Sequence, residues 1–181
     1  FPSDYIHIGA DEVRKQYWQD CPKCRARVRA EGLANVHELH SYLVQRMARF
    51  LAGRNRRLIG WDEIMEGRYS TGKRGGPGVA GMAWDKLTPA DMPPNSTVMS
   101  WRAGQGPITG VRAAQLGLDV VMSPTSHCYF DYSYTRISTE KTYSYEPIPE
   151  QLTPEQARHV LGAQANMWTH IATTEAAVDK Q

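Results

Sequence analysis

Two adjacent carboxylates close the run "YIHIGADEV" at residues 5–13, Asp11 and Glu12, with Gly9 just ahead of them. The residues before them alternate with β-branched side chains, the pattern of a half-buried strand. A strand side chain alternates between faces, so His7, Gly9 and Asp11 are expected on one face and Ile6 and Ile8 on the other. Asp11 would then point into the mouth of the fold, and Glu12 would lie at its rim. Two carboxylates placed in that way can divide acid and base work if their environments push their pKa values apart. Taken alone, the pair reads first as an N-capping acid beside a solvated neighbour. Three tryptophans change that reading. Trp61, Trp101 and Trp168 each follow a separate β-like run, "RLIG", "STVMS" and "GAQANM". Aromatic walls beside carboxylates suit a sugar ring, whose C–H faces stack and whose hydroxyls hydrogen-bond. Trp18 and Trp84 fall in loop or helix segments and are read as packing residues.

The elements that must position these residues follow from the hydrophobic period, which switches between two and 3.6 along the chain. Strands are expected at about 4–9, 57–62, 96–101, 118–123 and 162–168, with helices at 37–52, 110–117 and 153–162 and another from "TTEAAVDK". In the 37–52 helix, Leu39, Leu43, Met47 and Phe50 or Leu51 form the expected apolar stripe. Thr153 and Pro154 read as an N-cap and first helical residue. Residues 67–94 and 126–149 read as long loops, the second rich in tyrosine. Alternation of strand and helix predicts parallel βα units. Each strand runs into polar or aromatic residues: Asp11–Glu12, Trp61–Asp62–Glu63, Trp101–Arg102, the segment around Tyr129–Asp131, and Trp168–Thr169–His170. Site-like residues at every carboxyl end favour a barrel over the single crevice of a doubly wound sheet. No G-x-G-x-x-G or Walker pattern points to a nucleotide fold. The fold class expected is α/β, a partial (β/α)8 TIM barrel holding about strands 4 to 8.

Composition is that of a globular domain: 181 residues, 41% hydrophobic, with 21 basic and 19 acidic residues. A net charge of +2 makes no case for nucleic acid, and the basic cluster "GRNRR" at 53–57 reads as the polar end of a helix and its turn. No apolar run approaches the roughly 20 residues of a membrane helix, and the opening Phe-Pro-Ser does not read as a signal peptide. "CPKC" at 21–24 has the spacing of half a zinc site, a redox pair or a tight disulfide. No second CxxC exists to complete a four-ligand zinc site, and Cys128 is far away in sequence. An oxidised Cys21–Cys24 pair is the expected form, with metal binding second.

In order and spacing, "HIGADE", "GWDEI", "VMSWR", "CYFDY" and "GAQANMWT" resemble the catalytic domain of family 20 glycoside hydrolases, the β-N-acetylhexosaminidases. The resemblance runs along nearly the whole chain. It implies a retaining exo-β-N-acetylhexosaminidase that removes terminal β-linked N-acetylglucosamine or N-acetylgalactosamine. In such enzymes the sugar's own 2-acetamido oxygen attacks the anomeric carbon through an oxazolinium intermediate, an exception to the two-carboxylate scheme. Glu12 would be the general acid and later the base for water, with a raised pKa. Asp11 would stay ionised, hold the acetamido N–H and stabilise its developing charge. Tyr129 would donate to the acetamido oxygen, Asp131 would bind a sugar hydroxyl, and Trp61, Trp101 and Trp168 would wall the pocket. No metal or organic cofactor is implied. Its partners would be N-acetylhexosamine-containing glycans, not nucleic acid or membrane, in a secreted, periplasmic or lysosomal setting.

Two departures qualify the resemblance. His170 stands where the family often places a glutamate that binds distal hydroxyls, and an imidazole donates one hydrogen bond where a carboxylate only accepts. Ala10 replaces a frequent second glycine, which matters only if the backbone needs a positive φ. A complete barrel takes roughly 250 residues. The acid pair in this family follows the fourth strand, so residues 1–181 are expected to be an incomplete catalytic barrel domain without its N-terminal strands, inactive unless the remainder completes it. A non-catalytic sugar-binding module, and a zinc-stabilised interaction domain built on Cys21, Cys24 and a histidine, are the competing readings.

Overall fold

The structure, a computed structural model, describes residues 2–66, 92–93, 95–102, 108–169 and 172–178. Trp84, most of the 67–94 segment, and His170 lie outside the described residues. The chain is α/β, with five strands hydrogen-bonded in the order β1 (Tyr5–His7), β2 (Arg57–Trp61), β3 (Ser96–Ser100), β4 (Asp119–Met122) and β5 (Val160–Ala163). β1 pairs with β2 in parallel, Tyr5 opposite Arg57 and His7 opposite Ile59. β4 and β5 are likewise parallel, with a register shift between Val120 and Val121. The chain divides into two compact units, Phe1–Val98 and Met99–Gln181.

In the first unit, helices α1 (Gln16–Asp20), α2 (Pro22–Ala30) and α3 (Glu38–Ala52) lie between β1 and β2. Of these α3 carries the core face, with Leu39, His40, Val44, Ala48 and Leu51 buried. The expected stripe is therefore displaced by one residue along most of its length. Leu43 and Phe50 are exposed, and the buried positions 40, 44, 48 and 51 keep the same helical spacing one residue further along. The Arg54 guanidinium covers the Phe50 ring at 3.7 Å, which shields an otherwise wet aromatic. Leu58, Ile59, Ile64, Met65 and Val98 complete this core. At Gly60 an added Cβ would lie 2.6 Å from Ile64 Cγ2 and 3.2 Å from the Gly9 carbonyl oxygen, so β2 and the segment after β1 approach as closely as a bare backbone allows.

In the second unit, α4 (Ile108–Gln115) packs on β4, and a Cβ at Gly110 would strike the Met122 side chain at 2.7 Å. Gly117, at φ +76°, follows the helix in the left-handed conformation that ends it. The tyrosine-rich loop is more ordered than expected. It contains α5 (Thr139–Tyr143), capped by the Ser138 side chain accepting from the Lys141 N–H. The helix expected over 153–162 is the single turn α6 (Pro154–Ala157), closed by a capping box between Thr153 and Gln156. β5 begins at Val160, two residues before the expected strand, and α7 (Glu175–Val178) follows.

Candidate active site

β1 ends at His7, but its backbone keeps pairing with β2: the Ile8 N–H donates to Ile59 O and the Trp61 N–H donates to Gly9 O, each at 3.0 Å. The chain then turns through Gly9 at φ +70°, Ala10 at +82° and, after Asp11, Glu12 at +48°. These left-handed residues interrupt the regular strand just before the acid pair. The Asp11 carboxylate lies near Gly9 and His7: Oδ1 is 3.6 Å from the point a Cβ on Gly9 would occupy, and its charge acts on the His7 ring. Asp11 and Glu12 are both exposed on this turn.

Buried groups fix the turn from beneath. The Glu12 N–H donates to Glu63 Oε1 at 3.3 Å, and Glu63 is buried in the 3-10 turn Asp62–Met65 directly after β2. Glu66, at the end of that turn, forms an ion pair with Lys15 and lies 4.0 Å from His40 Nδ1. Burial, reinforced by the Lys15 charge, pushes the His40 imidazole down to about 4, so it is neutral near pH 7. His7 accepts the Gly9 N–H on Nδ1 at 3.0 Å, which places its own proton on Nε2. Its ring stands edge-on to Trp61 at 5.3 Å. Burial lowers its pKa while Asp11 raises it. Trp61 is thus a buried wall beside the turn that carries the acid pair. Sequence reasoning noted Asp62 and Glu63 only as strand-end residues and missed His40, Lys15 and Glu66. The run "GWDEI" held the available signal, since an acid pair following a strand's last tryptophan must be either solvated or buried with partners.

Ala10 has a measurable cost. An L-residue in the left-handed region is disfavoured by about 1–2 kcal/mol, partly offset in a glycine variant by unfolded-state entropy. Ala10→Gly is therefore expected to stabilise the fold by ~1 kcal/mol, raising the thermal midpoint by about 2 °C. An unchanged or lower midpoint in a thermal scan would show that the φ of +82° carries no strain.

In the second unit, three segments are tied together. The Asn166 N–H donates to Cys128 O and the Phe130 N–H donates to Asn166 O, both at 2.7 Å, forming a parallel bridge between Tyr129 and Asn166. Asn166 Nδ2 also donates to Ser123 Oγ at 2.7 Å, just after β4. Trp168 therefore sits beyond this bridge and not at the end of β5, as the sequence suggested, because β5 itself stops at Ala163. Its ring centre is 6.3 Å from that of the buried Tyr129, and Tyr132 stacks on Tyr129 at 6.2 Å. Asp131 is 1% exposed, and among the described residues neither of its carboxylate oxygens has a hydrogen-bond partner. A buried carboxylate without donors is costly. Trp101 follows β3 directly, with the buried Arg102 guanidinium 5.9 Å from its ring centre. Cys128 is buried and its thiol is pushed up to about 11, which makes it inert near neutral pH.

Cys21 and Cys24 are free thiols in the structure, so the bridge expected from their spacing is not formed. Both lie at the start of α2, where the thiol of each interacts with the other. Among the described residues no group of three or more His, Cys, Asp or Glu is placed to hold a metal, and no helix is long and apolar enough to cross a membrane.

Comparison with known proteins adds to this geometry. The model of the glycosyl hydrolase family 20 catalytic domain matches residues 1–181. A β-hexosaminidase of Porphyromonas gingivalis is 36% identical over 193 residues, covering all of this chain and 22% of its own length. A β-hexosaminidase of Vibrio furnissii is 27% identical over 99% of the chain and 27% of its own length. Among solved structures, a chitobiase of Flavobacterium johnsoniae is 26% identical with a TM-score of 0.66, over 95% of this chain and 23% of that one. A β-N-acetylhexosaminidase of Bacteroides fragilis superposes with a TM-score of 0.73 at 24% identity, over 99% of this chain and 34% of that one, and shows the shared fold. The five parallel strands and their helices thus correspond to part of a (β/α) barrel, and the chain spans about a quarter of the length of these curated relatives.

Proposed function

The chain belongs to glycosyl hydrolase family 20, and on that premise we propose that it is the portion of a retaining exo-β-N-acetylhexosaminidase that carries the acid pair. The observation that carries this reading is the turn after β1, where Asp11 and Glu12 stand exposed on a left-handed backbone held by the buried Glu63. Glu12, free to reach solvent, protonates the leaving oxygen and then takes a proton from the incoming water. Asp11 holds the acetamido N–H and offsets the charge that develops as the acetamido oxygen closes on the anomeric carbon. Tyr129 donates its hydroxyl to that oxygen. Asp131 accepts from a sugar hydroxyl, which supplies the donors its buried carboxylate lacks. Trp61, Trp101 and Trp168 stack on the sugar and its acetamido group, and His170 takes a distal hydroxyl. The nucleophile arrives with the substrate, so the scheme draws on no metal or cofactor.

The substrates in this reading are glycans ending in β-linked N-acetylhexosamine, met in a secreted, periplasmic or lysosomal setting. Residues 1–181 are proposed to be an incomplete catalytic domain that turns over substrate only within a longer barrel, as a full (β/α) barrel of roughly 250 residues would require. Hydrolysis of a chromogenic β-N-acetylglucosaminide by the longer protein and by residues 1–181 alone tests both statements. Turnover by the longer protein only, blocked by a thiazoline mimic of the oxazolinium ring, is expected. Equal turnover of the β-glucoside, which has no acetamido group, would remove the substrate-assisted scheme. Normal turnover by residues 1–181 would remove the incomplete-domain statement.

The unpartnered Asp131 beside Tyr129 and Trp168 also favours a second reading, a sugar-binding module without catalysis. The two readings part on the role of Glu12.

A further inference from the structure

Outside the acid-pair turn, the densest nucleophilic chemistry of the first unit is the segment Cys21–Ala30. Cys21 is the residue that enters α2. Its backbone is extended, φ −78° and ψ 115°, and its carbonyl accepts the Arg25 N–H at 3.0 Å. Pro22 follows at the first helical position, and Cys24 lies in the first turn, three residues on, where side chains meet on one face. Both cysteines are free and half-buried, open enough to meet a small reagent. The segment carries Lys23, Arg25, Arg27 and Arg29 and no acid, although Asp20 precedes it and Glu31 follows it.

We propose that Cys21 and Cys24 are a thiol–disulfide exchange site, in which Cys21 attacks a low-molecular-weight disulfide and Cys24 resolves the product. Cys21 is the N-cap residue of α2, at the helix's positive end, which favours an anion. No regular capping hydrogen bond forms at this sulfur. The Cys24 N–H still pulls on it most strongly, followed by the Cys24 thiol, and Lys23 adds its charge, so the Cys21 thiol falls below the ordinary cysteine range. Cys24 moves the opposite way, chiefly through its bond to Cys21. That asymmetry separates an attacking thiol from a resolving one, as in other Cys-X-X-Cys pairs at helix N-termini. Cys128, buried and shifted up, is an internal control.

The electron count closes in two steps. The Cys21 thiolate attacks one sulfur of the small disulfide, a bond forms between them, and the first small thiolate leaves. Cys24 then loses its proton to solvent and attacks Cys21 Sγ, and the second small thiolate leaves. The protein gives up two protons and two electrons, and the small disulfide becomes two thiols. In an oxidising compartment the pair is closed and staples the start of α2. Under reducing conditions it is open, as in the structure.

The test reads thiol chemistry alone, so its failure is separate from failure of the glycosidase reading. Reduced protein is mixed with oxidised glutathione at pH 7, quenched in acid, alkylated and mapped by peptide mass. Wild type is expected to pass to an intramolecular 21–24 disulfide while Cys128 stays a thiol. Cys24→Ser is expected to stop at a glutathione adduct on Cys21. Cys21→Ser is expected to form its adduct on Cys24 at least ~10-fold more slowly. Because α2 buries none of its residues, neither serine variant should disturb the fold. Equal adduct rates in the two variants, or a wild-type adduct that never closes, would overturn the proposal.

Discussion

Glu12→Gln in the full-length protein is expected to lower kcat/KM on an N-acetylglucosaminide with a poor leaving group by about 10²–10⁴, the range for losing a general acid. That is about 3–5 kcal/mol of transition-state stabilisation. The amide keeps the size of the side chain and the backbone N–H that Glu63 holds, so the thermal midpoint should not move. Leaving-group chemistry then separates the two carboxylates. An aryl leaving group that departs as a stable anion needs little protonation, so the Glu12→Gln loss should shrink sharply on a dinitrophenyl glycoside. Asp11→Asn removes a charge that acts on the acetamido nucleophile, so its loss of about 10²–10³ should persist whichever group leaves. A sugar-binding module would show neither pattern. Unchanged turnover in Glu12→Gln, or an equal loss on both leaving groups, would end the assignment of Glu12 as the acid. Retained binding of the thiazoline by both variants is part of the expectation, because Asp131 and the aromatic residues around Tyr129 remain.

The physical reason the acid pair could be found from sequence is that strand periodicity and its abrupt end are local. "YIHIG" announces β1, and Asp11–Glu12 announce that something other than a strand follows. The order of the five strands was legible for the same reason, as each is a short apolar run flanked by glycine, proline or charge. Other features depend on tertiary choice. α1 and α2 were not anticipated because they bury no residue and so show no apolar stripe to read. The face of α3 was displaced by one because His40, a polar residue, takes a core position that a hydrophobic count leaves empty. β5 and Trp168 were misplaced because the bridge through Asn166 extends pairing beyond Ala163 without a continuous strand. Ala10 was legible only as a condition, since the sequence shows an alanine where a glycine is frequent but not that the backbone there takes a positive φ.

His40 explains how the acid-pair turn should respond to pH. Its side chain is buried beneath the turn, and the charged groups facing it are Lys15 on the approach to α1 and Glu63 and Glu66 after β2. Burial and Lys15 disfavour the imidazolium; Glu66, Glu63 and the Ala10 carbonyl oppose them without prevailing, which leaves the folded-state value at about 4. In the unfolded chain the same histidine titrates near 6.5. The unfolded state therefore binds a proton that the folded state refuses, between pH 6.5 and 4. Stability tied to neutral His40 is complete above about 6.5 and is lost as pH falls toward 4, by an amount on the order of 3 kcal/mol. Denaturant unfolding of the wild type should show this loss on top of the ordinary titration of carboxylates. His40→Leu, close in volume and unable to titrate, should remove about that much of the dependence and leave a flatter curve below pH 6.5. The same slope in both proteins would mean that the buried imidazole is protonated with the help of Glu66. The turn would then rest on a charged network rather than on a neutral histidine. The first outcome makes acid the agent that loosens the turn, by charging His40 at its base.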